Sequence, residues 1–151
     1  MNNQKGNNRT GNPALRVAAV QLESIAGDKK TNFEKMESFI EKAVKEGAQL
    51  ILFPECCITG YWYIRNLTKD ELEDLSEPVT EGESSQKVIS LSEKHGIAIG
   101  AGLIEKDKDG SYYNSYIIAM PDGETYRHRK LHAFIHPLVK SRSEYTIFDT
   151  P

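Results

Sequence analysis

Between Leu15 and Phe53 the chain follows a strand, helix, strand grammar, and this restricts its fold more than any other feature. The run Leu15, Val17, Ala18, Ala19, Val20, Leu22 is almost continuously apolar, the pattern of a strand covered on both faces. After Gly27, Asp28 stands where a helix cap belongs, Phe33, Met36, Ile40, Ala43 and Val44 recur at helical spacing, and Gly47 supplies a stop. Gln49 to Phe53 (QLILF) forms a second short apolar run that Pro54 ends. Two strands joined through a helix pair in parallel. The expectation is a mixed α/β sheet with a buried first strand.

Further along, Thr68 to Leu75 is a short helix candidate, and Val88, Ile89 and Leu91 mark a second amphipathic helix that runs to His95 and stops at Gly96. Ile97 to Ile104 reads as another buried strand. The pattern then changes: Asp107 to Gly110 and Pro121 to Gly123 are turn sequences on either side of Tyr112 to Met120, a Tyr- and Ile-rich run, so antiparallel hairpins are expected. Helices must cover one face of such a sheet, or both. Residues 1–13, rich in Asn and Gly, offer nothing apolar to bury after the initiator and are expected to form a disordered tail, with one domain over residues 14–151.

A net charge of -3 over 151 residues argues against nucleic acid as a partner. No apolar run approaches the ~20 residues that span a bilayer, and the start of the chain lacks a signal-like apolar segment, so a soluble, cytoplasmic protein away from membranes is expected. The two cysteines, Cys56 and Cys57, are adjacent and cannot frame loop-closing disulfides. In an extended segment Cys56 would turn away from Glu55 and Cys57 would share its side. Both are expected to be small, buried, apolar residues.

Ligands of open sheets bind beyond the carboxyl ends of parallel strands, which draws attention to Glu55 in Phe53-Pro54-Glu55. A carboxylate there is held by a rigid element and faces a crevice, as a general base requires, although a glutamate in a loop is more often simply solvated. A second candidate is Arg127-His128-Arg129-Lys130-Leu131-His132, which reads equally as a charged sheet edge that discourages aggregation. Tyr61, Trp62 and Tyr63 either wall a substrate pocket or pack onto the core. Asn114 is expected to satisfy local backbone. His128, His132 and His136 lack accompanying Cys or carboxylate ligands, so no metal is expected.

Taken in order, Arg16-Val17-Ala18-Ala19-Val20-Gln21, Phe53-Pro54-Glu55, Thr59-Gly60-Tyr61, Tyr113-Asn114-Ser115, Asp122-Gly123 with Tyr126, and Arg129-Lys130-Leu131-His132 resemble the nitrilase superfamily of carbon-nitrogen hydrolases from Arg16 to Pro151. The resemblance implies an α-β-β-α sandwich, of which this chain holds about the first half. It also implies a Glu-Lys-Cys triad without metal or cofactor. Glu55 would be the general base, Lys130 would stabilise the charge that develops on the substrate, and Tyr61 and Trp62 would bind it. The substrate would be a small amide, N-carbamoyl amine or nitrile, and the full-length protein would form homo-oligomers. The nucleophilic Cys is expected on a strand after Tyr145 to Pro151 (YTIFDTP), so the chain alone is expected to be inactive. Three explanations stay open: a partial sequence of an ordinary enzyme, a truncated gene, and one half of a split enzyme. A non-catalytic binding or assembly role is the alternative. Glu144 resembles an accessory glutamate of some members, without a fixed alignment.

Overall fold

The computed structural model describes residues 14–150; the expected tail over residues 1–13 lies outside the described residues. The described elements, in chain order, are β1 (Val17–Ala19), α1 (Lys29–Lys45), β2 (Leu50–Leu52), a 3-10 helix (Trp62–Asn66), α2 (Lys69–Leu75), α3 (Glu83–His95), β3 (Ala98–Lys106), β4 (Tyr112–Ala119), β5 (Thr125–Arg129) and β6 (Val139–Lys140). α1 begins at the expected Asp28 cap, and α3 stops at Gly96 as expected. The Asp28 carboxylate accepts from the Thr31 amide at the start of α1, Thr68 and Glu71 close a reciprocal capping box on α2, and Gly96 takes the left-handed conformation that ends α3.

The strands form one mixed sheet in the order β1-β2-β3-β4-β5, with β6 added beside the start of β4. β1 and β2 pair in parallel, as do β2 and β3, whereas β3, β4 and β5 form an antiparallel meander. Side chains alternate across the pleat, and the alternation decides what each face carries. Ile51, Ile99, Ala101, Leu103, Ile117 and Ala119 point to the face covered by α1 and α3 and join Phe33, Met36, Ile40, Val88 and Leu91 in the main core. Leu50, Ala98, Ile118 and Met120 lie on the opposite face. Towards the far end of that face, Ile104 and Tyr112 pack with Ile64, Leu72 and Leu75 from the 3-10 helix and α2.

The first strand departs from expectation. β1 is short, sits at the edge of the sheet, and leaves Val17 46% exposed. Ala18 and Val20 turn into the main core while their neighbours face solvent. A run of apolar residues does not say how many of its faces will be covered, and here only the face that carries Ala18 and Val20 is.

The helix-covered face also holds a buried ionic cluster. Glu105, fully buried, accepts from Arg129 through Nε at 2.9 Å and Nη2 at 2.5 Å, from Arg127 at 2.9 Å and from the Ser115 hydroxyl at 2.5 Å. Arg129 adds a bond to Asp107 at 2.7 Å and lies over the Tyr113 ring. The basic cluster read as a charged edge is therefore split by the pleat. Arg127 and Arg129 turn to Glu105, and Lys130 turns to the other face.

Candidate active site

Three strand ends and one loop bring the site together. Asn114 stands on β4 opposite Ile104 of β3, and the Ser115-Arg129 pairing brings Lys130 beside Asn114, with the Lys130 amide donating to the Asn114 carbonyl at 2.8 Å. Glu55 arrives from the turn after β2, which crosses the face directly above Gly102 of β3. A Cβ on Gly102 would lie 3.1 Å from the Glu55 Cα and closer still to the Cys56 nitrogen, so only glycine admits the crossing. The Ile58 amide donates to the Gly102 carbonyl at 3.1 Å and pins the turn to β3.

Lys130 Nζ donates to Glu55 Oε1 at 2.6 Å, although the two residues are 75 positions apart in sequence. Asn114 Nδ2 donates to the same oxygen at 2.5 Å. The pair is partly open, with side-chain exposures of 39% for Glu55 and 30% for Lys130, so it is more accessible than the water-poor pocket that a catalytic ammonium suggests. Tyr61 and Phe134 hold the Lys130 ammonium near their ring faces, at 5.8 and 5.3 Å from the centroids.

A cleft of about 640 Å³ opens beside Glu55, lined by Glu23, Pro54, Tyr61, Trp62, Tyr63 and Arg65 among others. Its size suits a small organic molecule. Tyr61 is partly buried against the core around Ile64, whereas Trp62 is 59% exposed and stacks under the Arg65 guanidinium at 4.2 Å. Burial, followed by the nearby Glu55 charge, pushes the Tyr61 phenol up from its ordinary value and keeps it a neutral donor.

The cysteines depart from the extended-chain expectation in their direction, though not in their burial. The chain turns at Cys56, whose φ of 50° is in the left-handed region, so simple alternation does not apply. The Cys56 thiol donates to Asn114 Oδ1 at 3.6 Å, on the side of Glu55. Cys57 points away and makes long contacts to the backbone of Gly102, with its sulfur 3.4 Å from that amide and 3.8 Å from that carbonyl. Burial pushes both thiols up, Cys57 to about 12. Asn114 also departs from expectation: its side chain serves the Glu55 carboxylate rather than local backbone. An asparagine inside an otherwise apolar strand, facing the same side as Lys130, was the available signal.

The histidines do not converge. His136 Nε2 lies 3.1 Å from the Leu67 carbonyl and His128 Nδ1 lies 3.4 Å from the Thr146 hydroxyl, and no group of three metal-ligating side chains occurs among the described residues. Glu144 is exposed and paired with Arg142 at 3.1 Å. The segment that contains it doubles back along β5: the Arg142 amide donates to the Lys130 carbonyl, the Thr146 hydroxyl donates to the Arg127 carbonyl, and Phe148 stacks on Tyr126.

The profile of carbon-nitrogen hydrolases matches residues 16–151. The chain belongs to the carbon-nitrogen hydrolase family. It is 34% identical over 120 residues to a nitrilase of Pyrococcus abyssi, a match that covers 80% of this chain and 44% of that protein. It is also 34% identical over 128 residues to the omega-amidase NIT3 of Saccharomyces cerevisiae, covering 80% and 42%. The crystal structure of Saccharomyces cerevisiae Nit3, a member of branch 10 of the nitrilase superfamily, superposes with a TM-score of 0.75 at 30% identity, covering 90% of this chain and 51% of that one. This carbon-nitrogen hydrolase chain thus spans about half the length of the relatives it matches. No helix among its described residues is long and apolar enough to cross a membrane.

Proposed function

We propose that Glu55 and Lys130 are the general base and the charge-stabilising cation of a thiol-dependent hydrolase that acts on small amides, N-carbamoyl amines or nitriles, with Tyr61 and Trp62 lining its substrate cleft. The observation that carries this reading is the Lys130-Glu55 contact of 2.6 Å. It joins two residues 75 positions apart in sequence at the edge of a substrate-sized cleft.

The chemistry follows from the groups. A thiol must lose its proton to attack an amide or nitrile carbon, and Glu55 takes it. Attack places negative charge on the substrate oxygen or nitrogen, which the Lys130 ammonium offsets. Glu55 then gives the proton to the departing amide nitrogen and takes another from the water that releases the acid; a nitrile needs one further water, which adds to the thioimidate before its nitrogen can leave as ammonia. Family membership and the similarity to an omega-amidase and a nitrilase support both substrate groups, and aliphatic amides are the first to assay.

Neither cysteine of the chain suits the nucleophile. Both are buried; the Cys56 thiol is engaged with Asn114 Oδ1, and Cys57 points away from Glu55 to the Gly102 backbone. As the family resemblance implies, we place the reacting thiol on polypeptide outside residues 1–151, either in the same protein or in a partner chain. A cytoplasmic setting, where thiols stay reduced, suits this chemistry. The test is amide and nitrile hydrolysis by residues 1–151 alone and by the same residues together with whatever thiol-bearing polypeptide the source locus encodes next to them. Turnover only in the second case, abolished by Glu55→Gln, supports the reading. Turnover by residues 1–151 alone that Cys56→Ser or Cys57→Ser removes would overturn the placement of the thiol.

A further inference from the structure

Resting on that reading, we infer that Asn114 is the positioning residue that decides which oxygen of Glu55 exchanges protons, and that Cys56 acts as a hydrogen-bond donor that locks Asn114 in place. The argument starts from the two oxygens of Glu55. Oε1 accepts from both Lys130 Nζ, at 2.6 Å, and Asn114 Nδ2, at 2.5 Å. Among the described residues no hydrogen bond reaches Oε2. The carboxylate is thus divided into an oxygen saturated by donors and an oxygen left free, and only the free one retains a basic lone pair for a thiol or a water.

A carboxylate that rotated about its terminal torsion would exchange these roles, and such torsions are broad and soft. Lys130 alone does little to prevent this, because its ammonium is a point charge on a flexible stem. Asn114 is better placed. It stands on the interior strand β4, is 5% exposed, and ties three of its polar atoms into the site: its backbone carbonyl accepts the Lys130 amide, its Nδ2 donates to Glu55, and its Oδ1 accepts from the Cys56 thiol. The orientation of the amide follows from its partners, since an ionised carboxylate only accepts. Oδ1 is therefore turned to Cys56, and the partner it needs there is a donor. A thiol satisfies this only while it keeps its proton, and burial holds the Cys56 thiol well above its ordinary range. The left-handed turn at Cys56 aims the sulfur at Asn114 instead of along the strand direction. The Cys56 thiol, the Asn114 amide and the Glu55 carboxylate thus form a short chain of directed hydrogen bonds that starts in the core.

The test uses the active enzyme and reads kcat and KM separately. Asn114→Ala is expected to lower kcat by about 10- to 100-fold, the range for residues that orient a reacting group, with KM changed by less than about 3-fold. Cys56→Ala is expected to lower kcat by a smaller factor, and Cys56→Ser, which keeps a donor, to restore most of it. A general packing defect would not separate Ser from Ala in this way. If Glu55→Gln abolishes turnover while Asn114→Ala and Cys56→Ala leave kcat unchanged, the inference fails and the proposed function stands. If Glu55→Gln leaves turnover intact, the proposed function itself fails. A second readout needs no turnover: in the 151-residue chain, the side-chain amide resonances of Asn114 should move with Glu55→Gln and with Cys56→Ala, and return with Cys56→Ser. Resonances that ignore all three variants would overturn the inference.

Discussion

Replacing Gly102 by alanine tests how the candidate site is built. The added Cβ would meet backbone atoms of the turn that carries Glu55, at 3.1 Å from the Glu55 Cα and nearer to the Cys56 nitrogen. Normal carbon contacts are about 3.5–4 Å, so the turn has to retreat by roughly 1 Å. Backbone pinned by the Ile58-Gly102 hydrogen bond cannot do this by turning a rotamer. Overpacking of this kind costs typically 1–3 kcal/mol, against which the smaller entropy of the unfolded alanine chain returns roughly 0.4–1 kcal/mol. Gly100, on the same strand and face, provides the control. The nearest atoms to its added Cβ belong to side chains: the Tyr116 ring at 2.7 Å, Leu52 at 2.8 Å and Ile118 at 2.9 Å. Side chains yield more readily than pinned backbone, so Gly100→Ala should cost less than Gly102→Ala, which should cost about 2 kcal/mol or more. Urea unfolding of the two variants measures the difference. In the active enzyme, Gly102→Ala should also lower kcat/KM by about 10²-fold, the penalty for misplacing a reacting group by about 1 Å. Equal stability of the two variants would refute the claim that the turn rests on the Gly102 backbone.

Glu105→Ala should be among the most destabilising substitutions, costing about 3 kcal/mol by chemical denaturation, because it removes the fully buried partner of Arg129 and leaves the guanidinium with Asp107 alone. Lys130→Ala should do the opposite: its partly exposed pair with Glu55 contributes no more than about 1 kcal/mol to stability, yet its loss should lower kcat by about 10²-fold or more. The Cys57 thiol makes folding pH-dependent on the alkaline side. Burial raises it in the folded state from its ordinary 9.0 to about 12, so its contribution is complete below pH 9 and is lost as pH rises towards 12, at ~1.4 kcal/mol per pH unit. Unfolding measured across that range should show a shallower alkaline loss in Cys57→Ala than in the parent, and equal slopes would exclude the buried thiol as the cause.

Much of the scaffold was legible in the sequence because its signals are local. Asp28, Thr68 and Gly96 act within a turn of the helices they bound, and the two turn sequences around β4 fix the meander without help from elsewhere. Glu55 was visible for the same reason, as a carboxylate just past a short apolar strand. What escaped depends on which strands become neighbours. The apolar run at β1 was read as doubly covered, and its position at the sheet edge is a property of the whole topology. Asn114 is 59 residues from Glu55 and 58 from Cys56, so nothing near it in sequence announces its partners. Gly102 carried a usable hint, since a glycine within a buried strand often marks another backbone passing close by. Local alternation also misplaced Cys56, because it assumes an extended chain where the turn takes a positive φ.

If Glu55 and Lys130 act as one catalytic unit, a double-mutant cycle on kcat/KM in the active enzyme will show it. Glu55→Gln and Lys130→Ala should each remove most of the activity, and the double variant should be scarcely worse than either, as expected of groups that act together. Losses that simply multiply, or a single variant that retains parental activity, would mean that the two residues do not form such a unit.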